Sequence, residues 1–117
     1  LKDKGPGKVL RMFFEAWMKR DWKAMAKCAQ KSWLEVSIDP EEYLKGMFNF
    51  KLRAFEVIEE VELNNVAFAA KVLYRYDIAR NVSKNMSSDV RVICEVEPMV
   101  PAPDGEWGVN PNSVVVT

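Results

Sequence analysis

At 117 residues the chain has the length of one ordinary domain, enough to bury a real core. Hydrophobic residues make up 49% of it, with six Phe, three Tyr and four Trp, which excludes a disordered segment. Seventeen basic residues balance seventeen acidic ones, so there is neither the basic stripe of a nucleic-acid binder nor a polybasic membrane patch.

Residues 1–7 form a short charged lead-in ending in Pro6 and Gly7, and Pro suits the first position of a helix. Leu10, Phe13, Phe14 and Trp17 then recur at i, i+3, i+4 and i+7, which predicts an amphipathic helix to about Lys19. Trp22, Met25, Ala26 and Ala29 repeat the stripe out of phase across Arg20-Asp21, so a second helix follows with Asp21 as its N-cap. Ser32-Trp33 opens a less regular stretch. Asp39-Pro40-Glu41-Glu42 combines a cap, a first-position Pro and two first-turn acids, and starts a third helix that is spent by about Asn49.

From Phe50 the period becomes 2. Phe50, Leu52 and Ala54 alternate with Lys51 and Arg53, and then Phe55, Val57, Val61 and Leu63 carry the apolar set on odd numbers. That slip of parity at Ala54-Phe55 predicts a bulge or an irregular start. Asn64-Asn65 marks a tight turn, since Asn tolerates positive φ. Val66, Phe68, Ala70, Val72, Tyr74, Tyr76 and Ile78 form the cleanest alternation, and that strand belongs in the middle of a sheet. Residues 79–88 are polar without periodicity and read as an exposed hairpin loop. Val90, Val92, Cys94 and Val96 make the next strand. Pro98, Pro101, Pro103 and Asp104-Gly105 interrupt it before a last strand through Trp107 and Val109, resumed at residues 114–116. The expected order is α-α-α-β-β-β-β, a single α+β domain over residues 1–117.

Little catalytic chemistry is on offer. The chain has no histidine, which removes His general bases, His-activated nucleophiles and most zinc or iron sites. No phosphate-binding glycine loop, Cys-x-x-Cys pair or nucleophile elbow is present. Tyr43, Tyr74 and Tyr76 could donate a proton beside a carboxylate of raised pKa, but Asp77 alternates onto the face opposite Tyr74 and Tyr76. Asp39 is better used as a cap. Glu56, Glu59, Glu60, Glu62, Glu95 and Glu97 alternate with apolar residues and face plausible basic partners, which predicts a solvated outer sheet face rather than a cation site. Trp17 and Trp22 lie on helical stripes, whereas Trp33 and Trp107 fall outside them and suit a pocket rim. Cys28 and Cys94 read as small buried hydrophobes, with a bridge between them left open. No apolar run approaches a membrane span. The first residue is Leu rather than Met, which is compatible with a removed signal or anchor segment; the compartment stays open between extracytoplasmic and cytoplasmic.

Two stretches, FFEAWMKRDWKAMAKCAQKSW with its Asp-aromatic corner and DGEWGVNPNSV with its Gly-Glu-Trp turn, make the chain resemble the NTF2-like (cystatin-like cone) superfamily, nearest to its small non-catalytic bacterial domains. The resemblance implies N-terminal helices packed in the concave face of a curved, mostly antiparallel sheet of four to six strands. It also implies a pocket between the first helix and the sheet, and a homodimer through the sheet's outer face. These motifs shape a fold and carry no catalytic signature.

The expectation is therefore a non-catalytic domain that binds a small apolar ligand or a protein partner, with Trp17, Trp33, Tyr43, Tyr74, Tyr76 and Trp107 as pocket lining. No cofactor, metal or nucleic acid is expected. The competing expectation is an isomerase- or cyclase-like enzyme using a pocket Tyr and a carboxylate.

Overall fold

In the computed structural model, residues 5–116 are described. Helix α1 (Pro6–Lys19) starts with Pro at its first turn and buries Leu10, Phe13, Phe14 and Trp17 completely. It stops at Arg20, which takes the left-handed conformation at φ 56°. The Arg20 N–H donates to the Trp17 carbonyl and the Asp21 N–H to the Ala16 carbonyl, closing off carbonyls the helix would leave orphaned. A non-glycine residue at positive φ needs compensation, and the Arg20 guanidinium finds it. It donates to Asn49 Oδ1 at 2.8 Å and sits 5.3 Å from the centre of the Trp22 ring.

That corner hands the chain to α2 (Trp22–Lys27), where Asp21 Oδ1 accepts from the Ala24 N–H as the sequence predicts. A short helix, α3 (Lys31–Glu35), occupies the stretch expected to be irregular. The Asp39 cap then opens α4 (Pro40–Met47), accepting from the Glu42 N–H. Among the described residues there are thus four α-helices where three were expected.

Five strands follow: β1 (Leu52–Asn64), β2 (Ala67–Ala79), β3 (Val82–Glu97), β4 (Val100–Pro101) and β5 (Glu106–Val109). Their order is β1-β2-β3-β4, with β5 also on β3, and every pairing between these strands is antiparallel. The α+β class agrees with expectation; the five strands are one more than the expected order held and fall within the four to six that the resemblance implied. The exposed loop expected over residues 79–88 does not exist. Instead β2 turns into β3 through Arg80 and Asn81, with Asn81 at φ 61°, and Ser83 to Ser88 pair with Asp77 to Val72. Polar residues misled there because one face of that hairpin is solvated, and Ser, Lys and Asn suit a strand whose partner supplies the order.

The parity of β1 also needs correction. Phe55 faces Tyr74 and Val57 faces Val72, but the register shifts between Val57 and Glu59. Beyond that bulge Glu60 opposes Ala70 and Glu62 opposes Phe68, which turns Val61 and Leu63 out to solvent. A second irregularity lies between Leu52 and Ala54, close to the predicted slip, and a third between Glu62 and Asn64.

The core fills the space between the helices and one face of this sheet. Leu10, Phe13, Phe14 and Trp17 meet Phe68, Val72, Tyr74, Tyr76, Val90 and Val92, with Met25, Leu44 and Phe48 added from the shorter helices. The opposite face is exposed and largely polar, with Glu59, Lys71 and Asp89 abreast across three strands and Val61 and Leu73 as apolar neighbours. Segment 28–30 joins the far side through a close approach: a Cβ on Gly108 would lie 2.5 Å from Gln30 Cα. Its absence lets the Gln30 N–H donate to the Val109 carbonyl at 2.8 Å and the Val109 N–H to the Cys28 carbonyl at 2.7 Å.

Candidate functional site

Three of the expected pocket residues come together, and they form solid core. Trp17 packs against Tyr74 and Tyr76 with ring centres 5.8 and 5.9 Å apart, and Phe14 stacks on Phe55 at 5.3 Å. The Trp17 indole N–H donates to the Phe50 carbonyl at 2.9 Å, so this large ring carries no unsatisfied polar atom into the core. The Tyr74 hydroxyl lies 2.6 Å from Ser88 Oγ and donates to the Val115 carbonyl, while Ser88 Oγ accepts from the Val115 N–H at 2.9 Å. Donors and acceptors therefore close into a ring that ties residues 114–116 to the sheet. Burial pushes the Tyr74 phenol above its ordinary pKa, against the Ser88 hydrogen bond. It is a neutral structural donor at neutral pH.

No carboxylate serves Tyr74. Asp77 points to the other face, as the alternation predicts, where Arg53 Nη2 reaches it at 2.6 Å and Ser83 Oγ donates to it at 2.7 Å. The hydrogen bonds from Arg53 and Ser83 hold its carboxyl below the usual range. Glu95 is the one buried acid among the described residues, at 2% exposure, and it corrects the expectation of a solvated glutamate. It accepts from the Ser32 N–H at 3.0 Å, the Ser32 hydroxyl at 3.1 Å and the Gln30 amide at 3.2 Å, and so fixes the start of α3. Sequence reasoning missed it because its partners lie more than sixty positions away in the chain.

The other three expected residues scatter. Trp33 is buried and meets Tyr43 edge-on at 5.6 Å, while Tyr43 itself is 56% exposed. Trp107 does line a pocket, together with Val9 and Met12 of α1, Ala24 and Lys27 of α2, Cys28 and Glu106. This pocket of about 150 Å³ lies where α1, α2 and β5 converge. Lys31 holds Glu106 by an ion pair at 3.0 Å, and that contact lowers the Glu106 carboxyl pKa. Cys28 and Cys94 are both buried and form no disulfide, and burial raises the Cys94 pKa away from the reactive thiolate. Sequence reasoning missed Val9 and Met12, which fall outside the first apolar stripe, because nothing local ties them to Trp107.

A second hollow, about 560 Å³, opens on the polar face of the sheet. It is walled by three consecutive residues on each of three strands, centred on Phe55, Tyr74 and Met86. A third of about 290 Å³ lies between α2 and the start of α4. Among the described residues there is no group of His, Cys, Asp and Glu set to hold a metal ion, and no helix long and apolar enough to cross a membrane.

No protein-family model matches the chain, and no curated protein sequence does. Solved structures do. A SEC-C motif-containing protein of Psychrobacter arcticus superposes with a TM-score of 0.70 at 10% identity, over 100% of this chain and 64% of that one. A SEC-C motif-containing protein of Rhodopseudomonas palustris does so with a TM-score of 0.66 at 9% identity, over 90% and 74%. The likeness is one of fold. It overturns the NTF2-like resemblance, because these neighbours belong to a different fold family. The stretches that suggested the cone are packing devices: a left-handed corner with an Asp cap, and a Gly-Glu-Trp strand entry. Any helix-on-sheet fold can use them. The chain spans a little under two thirds of the Psychrobacter protein.

Proposed function

We propose that this chain is a non-catalytic binding domain that takes a small apolar ligand in the pocket between α1, α2 and β5. The observation that carries the reading is the pocket's wall. Val9, Met12, Ala24, Cys28 and Trp107 supply an apolar lining, its acid, Glu106, is already held by Lys31, and its other charged residue is Lys27. The volume sets the ligand's size, since an apolar cavity of about 150 Å³ holds one benzene ring. Met12 adds an adaptable wall, because its unbranched thioether side chain repacks at little cost. Two further observations favour binding over catalysis: the Tyr74 hydroxyl is consumed by Ser88 and Val115, and the Glu95 carboxylate by Ser32 and Gln30.

Toluene is a suitable probe. Titration should move the Met12 methyl and Trp107 indole resonances saturably, with a dissociation constant of about 0.1–1 mM for so few atoms. Ala24→Leu keeps helix propensity and fills the space, so it should abolish the response. Unsaturable shifts, or an unchanged response in Ala24→Leu, would sink the reading.

A further inference from the structure

The hollow on the polar face of the sheet is built in an informative way. Phe55, Tyr74 and Met86 turn their side chains toward the core, where Phe14 covers Phe55, Phe14 and Trp17 cover Tyr74, and Met86 packs partly buried. None of those covering residues lines the hollow, so Phe55, Tyr74 and Met86 give it a floor of backbone. Its walls are the side chains of the flanking positions: Ala54 and Glu56 on β1, Leu73 and Arg75 on β2, Asn85 and Ser87 on β3. Small residues on both outer strands leave the space unfilled, and its volume falls in the range of ligand sites.

Its two charges are not paired with each other. Glu56 stands opposite Leu73 and Arg75 opposite Ala54, so the acid and the base are diagonal neighbours, roughly 7–8 Å apart at the backbone. Neither makes an ion pair or side-chain hydrogen bond with another described residue, whereas Arg53 and Asp77 one step along the same face are paired at 2.6 Å. Asn85 and Ser87 also present side chains with no partner among the described residues.

We propose that this hollow is a second binding site, for a small zwitterion of the α-amino-acid type. The ligand's ammonium would sit on Glu56. Its carboxylate would take the planar guanidinium of Arg75, with the Asn85 amide and Ser87 hydroxyl as further donors. An ammonium and a carboxylate on one carbon can each make a hydrogen bond of about 2.8 Å, one to each of the two side chains that no described residue pairs. Leu73, between them, offers an apolar surface to the ligand's side chain. A simple anion would leave Glu56 unanswered and an amine would leave Arg75 so; only the zwitterion answers both.

The test is an amide-resonance titration with L-leucine, beside 4-methylpentanoate, which lacks the ammonium, and 3-methylbutylamine, which lacks the carboxylate. L-Leucine should shift the amides of Phe55, Tyr74 and Met86 saturably, with each half-ligand weaker by about tenfold or more. Glu56→Gln and Arg75→Gln, both at exposed positions, should each weaken L-leucine by about the same factor. Exchanging the two charges, Glu56→Arg with Arg75→Glu, should restore it. Ala24→Leu should leave it untouched, which separates this site from the apolar pocket. No saturable shift, equal binding of 4-methylpentanoate, or indifference to Glu56→Gln would each overturn the proposal. So would shifts that follow protein concentration instead of L-leucine, which would assign the face to a second copy of the chain.

Discussion

The two faces of the sheet at Tyr74 treat polar groups in opposite ways. On the helix side every buried side-chain nitrogen and oxygen of the described residues is matched, as with the Tyr74 hydroxyl, Ser88 and the Trp17 indole. On the outer side, one residue away along the same strand, Arg75 stands without a partner while Asp77 is clasped by Arg53 and Ser83. Burial accounts for the difference. An unmatched group in the core costs about 1–3 kcal/mol, whereas in water solvent satisfies it for nothing. Matching on the inner face is thus required by folding, and the lack of it on the outer face leaves freedom for recognition.

The comparison is broken most severely from the inside. Trp17→Ala removes a fully buried ring that touches Phe14, Phe48, Tyr74 and Tyr76, and should cost about 3–5 kcal/mol, read as a lower midpoint in urea unfolding. Tyr74→Phe keeps the ring and deletes one hydroxyl, stranding the Val115 carbonyl and the Ser88 hydroxyl proton. A loss of about 1–3 kcal/mol is expected, with faster hydrogen exchange at the Val115 amide as its local mark. Equal exchange in both proteins would mean that the strap at 114–116 is held by packing alone.

Asp77→Asn should do least, and its effect should depend on pH. The folded pKa of Asp77 lies below the ordinary 3.8, so its contribution is present above that value and disappears as pH falls through the folded pKa. Wild type and variant should therefore differ slightly at neutral pH and converge in acid, seen in melting temperatures between about pH 2 and 7. A constant gap would show that Arg53 and Ser83 do not act through the ionised carboxylate.

What could be read from the sequence follows the range of the interactions. Both capping aspartates, the apolar stripe of α1 and the outward aim of Asp77 are local and appear as expected, while the first hairpin turns one residue later than read, at Asn65-Val66, with neither asparagine at positive φ. The hairpin at Arg80-Asn81 and the flip of parity after Val57 depend on a partner strand, so composition pointed the wrong way. The candidate sites fail for the same reason. Trp107 meets Val9 and Met12 across most of the chain, and the outer hollow needs the register of three strands to bring Glu56, Arg75 and Asn85 abreast. The family resemblance erred by treating shared local devices as a shared fold.

The bends in β1 have a consequence outside the single molecule. Along its thirteen residues this edge strand could offer a straight row of backbone donors and acceptors to any extended chain in the cell, and so seed a growing stack. Three breaks in register interrupt that row, and Glu56, Glu59, Glu60 and Glu62 place negative charge along most of what is left. A bend read in the sequence as a slip in the apolar pattern thus also acts as a guard against aggregation, and straightening it would remove the guard.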